Sequence, residues 1–380
     1  MGGSSVARGA GAVRWCGVAG MCSFTAAAGW VADVPAQLLA GVYARCGAGP
    51  PLRAPSKATL WRVVTDVDAA LVDEAVGAWL AEQAGLALLA SEKASADDGG
   101  QLPEPDPPGE PGQSPAEQVA PVAIAVDGKT LHGSADAHGN QVHLLAAATH
   151  DQRLVLAQAD VSVKTNEIPM LPVLLDKLDL TNVVITADAL HTQRETAEWI
   201  RSRGGQFILP AKGNQPNLFA VLDALPWSQV PPHTTIDEAH GRHERRTIRV
   251  LPTPPDLPFP HVEQVFLVER YVTHADGSQS AVSIPGVTSL TAQHAGPPRL
   301  AGYIRNHWSL EPLHWVRDVV YHEDDSTAHT RSGPRVMAAF RNLSIGAHRL
   351  AGRADIAEAT RWAGRFMHRP FQLLGLATRS

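Results

Sequence analysis

The chain has 380 residues, 44 % of them hydrophobic, with a formal net charge of −6 and three cysteines. That is an ordinary globular composition with enough apolar surface for a large core, and its acidic balance argues against a protein that coats nucleic acid through bulk positive charge. Cys16, Cys22 and Cys46 form no CxxC pair and no even set for a disulfide framework, so a reducing, cytoplasmic setting is expected.

In chain order, the uncharged stretch 15–32, WCGVAGMCSFTAAAGWVA, approaches the length of a membrane span. Its Ala, Gly, Ser and Thr content reads instead as soluble helix, and no membrane partner is expected. Residues 55–92 read as helical, with Thr59 as a candidate N-cap ahead of LWRVV and apolar residues three and four apart in AALVDEAVGAWLAEQAGLALLA. Residues 91–118 are rich in Pro, Gly and acid, hold no aromatic residue, and read as a disordered linker. The expected division is a helical N-terminal domain over 1–90, the linker over 91–118, and a main domain over 119–380.

After the linker, VAIAVDG, VHLLAAATH and LVLAQADV read as a meander of three strands. There follow a helix near NEIPMLPVLLDKL, a strand at NVVITADAL, a helix at TQRETAEWIRSRG, a strand at QFILPAK, a polar turn with Gly213 and Asn214, and a helix at LFAVLDAL. This succession predicts a mixed α/β layer. From about 235 to 300 the strands RRTIRVL, VEQVFLVERYVTH and SAVSIPGVTSL follow one another without a helix, as a β-rich insertion would, and the chain ends in helices beginning near Pro312. From Tyr303 onward there are eleven Arg against seven acidic residues, so the C-terminal segment suits a polyanion although the whole chain is acidic.

Two strands end alike, IAVDGK with Asp127 and VITADAL with Asp188. Ligand sites in α/β sheets collect at the carboxyl ends of strands. One such Asp usually caps a turn, a role Gly128 would suit, but two on neighbouring strand ends repel unless a divalent cation lies between them. Glu311, at the edge of a helix opening with Pro312, offers a third acid, with His314, Trp315 and Asp318 near the same face. Oxygen ligands without cysteine suit Mg²⁺ or Mn²⁺ better than Zn²⁺, and two such ions serve phosphodiester displacement.

The strings VDGKTLHGS, ITADALHTQRE, FILPAKGNQP, NHWSLEPLHWVRDV and RVMAAFRNLSIGAHRL, collinear from about residue 24 to the C-terminus, resemble the ISAs-type, H-repeat-associated insertion-sequence transposases of the DDE class. The resemblance implies a ribonuclease-H-like core with a β-rich insertion before the last acid. It places the family's three catalytic, metal-binding acids on Asp127, Asp188 and Glu311. It further implies cleavage of double-stranded DNA at inverted-repeat ends, transfer of the freed 3′ hydroxyls to target DNA with two Mg²⁺ or Mn²⁺ ions, and self-association on DNA.

Candidate DNA contacts are Lys129, on the Asp127 face of its strand; Lys212 and Asn214, at a turn with free backbone donors; His307 and Trp308, just before Glu311; and Arg305, Arg317, Arg331 and Arg335, as backbone clamps. Against each stands a structural role in a turn, a core or an ion pair. A hydrolase metal site at HGRHE (240–244) or YHEDD (321–325) fits less well, because HGRHE lacks the helical H-E-x-x-H spacing. The chain departs from the family pattern at His132, where Arg is expected, at Pro312, where Asn is frequent, and in STAHTRSG. Its opening, MGGSSVARGAGAVRWCGVAG, lacks the usual apolar helix, which suggests a truncated or frameshifted start. Two other readings stay open: a decayed relative that only binds DNA, and a nuclease that cuts without joining.

Overall fold

The computed structural model describes residues 17–45, 53–86, 121–135, 138–161, 166–239, 242–308 and 310–376. The linker expected over 91–118 and the atypical opening residues 1–16 lie outside them. The helices α1 (Phe24–Ala32), α2 (Ala36–Arg45), α3 (Lys57–Asp66) and α4 (Ala69–Gln83) come first. The starts of α1, α3 and α4 carry side-chain caps: Ser23 Oγ accepts from Ala26 N at 3.1 Å, Ser56 Oγ from Thr59 N at 3.3 Å, and Asp68 Oδ1 from Ala70 N at 2.9 Å. Ser56, not Thr59, caps α3, because the helix begins one turn earlier than the apolar pattern suggests.

One sheet of nine strands follows, in the order β3-β2-β1-β4-β5-β9-β8-β7-β6. The strands β1 (Val122–Leu131), β2 (Val142–Thr149) and β3 (Val155–Val161) form an antiparallel meander. Helix α5 (Met170–Leu175) leads to β4 (Val183–Ala187), which runs parallel to β1, and α6 (Arg194–Ser202) to β5 (Gln206–Pro210), parallel to β4. Strands with neighbours on both sides and cover on both faces carry unbroken apolar runs, which is why VAIAV and VVITA do not alternate. After α7 (Pro216–Asp223) come β6 (His233–Ala239), β7 (Arg242–Pro252), β8 (Gln264–Thr273) and β9 (Gln279–Thr288), all antiparallel. They join the sheet through three residue pairs of β9 with β5, from Ile208 opposite Thr288 to Pro210 opposite Gly286.

The helices α8 (Pro297–His307), α9 (Leu310–Val319), α10 (Gly333–Leu350), α11 (Ile356–Gly364) and α12 (His368–Leu373) follow. The first of these begins well before Pro312, where Pro297 and Pro298 occupy the opening positions that tolerate a missing N–H. One apolar cluster runs from Trp30, Tyr43, Leu60 and Leu80 through Ile124, Ile185 and Phe207 to Phe340, Leu343 and Phe371, so α1 to α4 share their core with the sheet and with α10. A polar knot pins that contact. Asp73 on α4 accepts from Arg335 Nε at 2.6 Å and from Gln158 Nε2 at 3.1 Å, while Asn342 Nδ2 donates to Gln158 Oε1 at 3.0 Å. Burial pushes the Asp73 carboxyl up to about 7 against the pull of Arg335. Among the described residues no helix is long and apolar enough to cross a membrane.

Helix α4 approaches β3 so closely that a Cβ on Gly77 would stand 1.8 Å from the Leu156 carbonyl oxygen, a backbone atom with nowhere to go. Gly77→Ala is therefore expected to cost at least about 1–3 kcal/mol through overpacking. A urea midpoint equal to that of the parent chain would refute this.

Candidate active site

The site begins with register. β1 pairs with β4 from Val122 opposite Val183 to Val126 opposite Ala187, where β4 ends. The next residue of each strand is an acid, so Asp127 and Asp188 lie side by side while β1 continues with β2 alone, Asp127 opposite Ala146. Asp188 Oδ1 accepts from Leu190 N at 3.0 Å and caps a short 3₁₀ turn, Ala189–His191. Asp127 Oδ1 accepts from Gly128 N at 2.9 Å.

The third acid, Glu311, lies in the first turn of α9. Burial, and then the negative charges of Asp188, Glu167 and Glu311, push the Asp127 carboxyl up to about 6, against a lowering bond from Gly128 N–H. One helical turn beyond Glu311, His314 Nδ1 stands 3.8 Å from Asp127 Oδ2. Burial, with the charges of Arg317 and Lys129, takes His314 down to about 3, so the imidazole beside Asp127 is neutral and supplies no counter-charge. Its Nε2 is buried with no hydrogen-bond partner.

Glu167, just ahead of α5, is a fourth acid that sequence reasoning missed. Its Oε1 lies 2.6 Å from His143 Nε2 and its Oε2 3.3 Å from His191 Nε2. These bonds, His143 first, hold the carboxyl down at about 2 and push His143 up. The available signal was a carboxylate opening the helix after a three-strand meander, with His191 already inside the ADALH string.

As placed, no three His, Cys, Asp or Glu side chains among the described residues stand close enough to enclose a metal ion. The donor chemistry nonetheless fits a hard divalent cation: the acids bear only oxygen donors, and burial together with the neighbouring acids makes one of them resist ionisation. Asp127, Asp188 and Glu311 are the residues that would hold it.

Helix α9 is fastened from its far end. Arg317 donates to Glu323 Oε2 at 2.7 Å and to Oε1 at 2.9 Å, and Arg341 on α10 adds a 3.0 Å bond to Oε1. Arg317 and Glu323 are both 1 % exposed. Burial alone would raise the Glu323 carboxyl, but the two guanidinium groups hold it below its ordinary value. Lys129 Nζ reaches Asp318 Oδ2 at 2.8 Å, tying β1 to the same helix. His307 Nδ1 stands 3.1 Å from Thr186 Oγ1, two residues before Asp188, and Thr186 also meets His150 Nε2 at 2.9 Å.

The remaining candidates divide by exposure. Arg335 is engaged with Asp73, and Asn214 Nδ2 donates to the Ala189 carbonyl at 2.6 Å beside Asp188. Arg331 pairs with Asp66 at the surface and Arg305 with Asp237. Lys212 is exposed, as are Trp308 at 51 % and Trp315 at 60 %. Glu244, in the HGRHE string, is clasped by Arg246, Arg270 and Arg242. Arg270 is raised by its bond to Glu244 first and also feels Glu311, so β8 brings positive charge within reach of the acids.

Residues 119–345 match the family described as the transposase DDE domain. The chain is 29 % identical over 236 residues to YbfL of Escherichia coli (strain K12), covering 58 % of this chain and 62 % of that one. It is 28 % identical over 236 residues to the H repeat-associated YhhI of the same strain, with the same coverage. With YncI of Escherichia coli O157:H7 it shares 30 % identity over 237 residues, covering 58 % of this chain and 60 % of that protein. The chain thus spans 60 to 62 % of the length of these relatives.

Glu323→Gln leaves two guanidinium groups inside the fold without the carboxylate they share, and a loss of roughly 3–5 kcal/mol is expected in urea unfolding. Asp127 supplies a pH test. Its carboxyl titrates near 6 when folded and near 3.8 otherwise, so its ionisation costs stability at high pH and almost none near pH 4. Without divalent ions, Asp127→Asn should raise the melting midpoint at pH 8 and leave it nearly unchanged at pH 4. Equal midpoints at pH 8 would contradict the burial and acid crowding that raise this carboxyl.

Proposed function

The chain belongs to the DDE-domain transposases, in their H repeat-associated branch, and on that basis we propose that it cuts double-stranded DNA at the inverted-repeat ends of an insertion sequence and joins the freed 3′ hydroxyls to target DNA. The observation that carries this reading is the β1–β4 register, which sets Asp127 beside Asp188 with Glu311 acting electrostatically on the first. Two Mg²⁺ or Mn²⁺ ions, when bound by these acids, would activate the attacking oxygen and stabilise the leaving one.

The order β3-β2-β1-β4-β5, with β1, β4 and β5 parallel, supports a ribonuclease-H-like core, in which β6 to β9 form an insertion ahead of the last acid. The N-terminal helices are assigned to recognition of the element ends. Each of the chain's own groups then has a task. Asp127 and Asp188 present oxygens from a rigid sheet, and Glu311 presents a third from a helix locked by Arg317. Lys129, Asn214 and His307 are bonded to other protein groups beside the acids and hold the site in shape, while Arg335 pins α4 to the sheet. Lys212, Arg305, Arg331 and Trp308 are exposed and take phosphate or base contacts, Arg305 and Arg331 by exchanging a surface carboxylate for DNA. Joining two ends calls for at least two copies on the DNA, in the cytoplasm.

The test is cleavage and joining of labelled DNA carrying the repeats that flank the gene, with Mg²⁺ or Mn²⁺. Asp127→Asn, Asp188→Asn and Glu311→Gln should each abolish both steps and leave repeat binding intact. Undiminished cutting in any one of them, or none by the parent chain, would overturn the proposal.

A further inference from the structure

A fourth acid beside three that already repel one another calls for a reason. Glu167 comes from neither strand that leads to an aspartate, yet it reaches a residue just beyond each, His191 directly and Thr130 through the ring of His143. One carboxylate oxygen meets His143 Nε2 at 2.6 Å, and the other nitrogen of that ring lies 2.9 Å from Thr130 Oγ1, three residues after Asp127. The other oxygen meets the Nε2 of His191, three residues after Asp188, at 3.3 Å. His191 is 1 % exposed and closes the turn that Asp188 caps.

Gly128, next to Asp127, leaves the space for this arrangement. A Cβ there would stand 2.4 Å from Glu167 Oε1 and 2.8 Å from His143 Nε2. The carboxylate therefore lies against the backbone that carries Asp127 and is held from the far side by the turn that carries Asp188. An acceptor with two oxygens is the side chain able to take an N–H from each of two imidazoles at once.

We propose that Glu167 is a positioning residue: through His143 and His191 it sets the separation of Asp127 and Asp188, and so the fit of the pair to a divalent cation. This rests on the metal-dependent reading above. Glu167 acts through the two histidines and not as a ligand itself.

The experiment uses the full chain and Mn²⁺ alone, followed by calorimetric titration without DNA, with the Mg²⁺ concentration for half-maximal cleavage and a thermal melt measured in parallel. Glu167→Ala should weaken Mn²⁺ binding by about tenfold or more, the usual scale for groups that orient metal ligands. Glu167→Gln should stay within about threefold of the parent, because its amide accepts from one imidazole and donates to the other, and Thr130 Oγ1 can pair with either tautomer of His143. Glu167→Asp keeps the charge but is one methylene short, and should bind as weakly as the alanine variant.

Parent-like binding by Glu167→Ala overturns the proposal. So does recovery by Asp and not by Gln, which would make the carboxylate a direct ligand. If the alanine variant gives no cooperative melt, the Gln and Asp variants decide alone. A parent chain that binds no Mn²⁺ overturns the metal reading and this proposal together, whereas a parent that binds and cuts beside an unaffected Glu167→Ala overturns this proposal only.

Discussion

Electrostatic repulsion among acids drawn together by a parallel strand register is the constraint around which the rest of the structure is arranged. Once Val126 is opposite Ala187, the next residues bring two carboxylates together, and nothing local can separate them. A fold that places such a pair has to spend rigidity elsewhere, because every acid near the first raises the cost of ionising it. The rigidity comes from the sheet, where both strands run through the apolar core, and from polar ties just beyond the acids.

Those ties differ in kind. The helix bearing Glu311 is anchored by a buried cluster of one carboxylate and two guanidinium groups, which adds little net stability but is costly to break. The strand bearing Asp188 is tied to α8 by neutral groups, His307 and Thr186, whose short bonds carry no charge penalty. Burial lowers both His307 and His150 to about 4, which keeps this contact neutral near pH 7. Charge is thus kept at the ends of the scaffold and neutrality beneath the acids.

Much of the sheet was legible because β1 to β5 are apolar runs bounded by turns. β6 was not, since HTTIDEA has no apolar alternation and Ile236 is largely exposed. Helix α8 was missed, since the strand region was carried to about 300 and the helices begun near Pro312, although Gly296, Pro297 and Pro298 form a recognisable start. Individual acids could be picked out from strand ends, but their juxtaposition depends on register, which no single strand encodes. Partners far apart in the chain were the least legible. Arg335 finds Asp73 across 262 residues, and Glu167 lies 24 residues from each of its histidines. Arg317, six residues from Glu323, shows that even a near partner is hidden when the chain turns inward between the two. Surface and interior arginines look alike in one sequence.

The continuity of the nine-stranded sheet has a geometric consequence. Neighbouring strands turn by roughly 20° relative to one another, always in the same sense. Four steps separate β1 from β8, so their directions differ by on the order of 80°. Asp127 on β1 and the guanidinium of Arg270 on β8 therefore belong to two walls of a corner and not to one flat plate. Opposite signs of charge thus meet across the angle between the strands, where Arg270 feels the charge of Glu311.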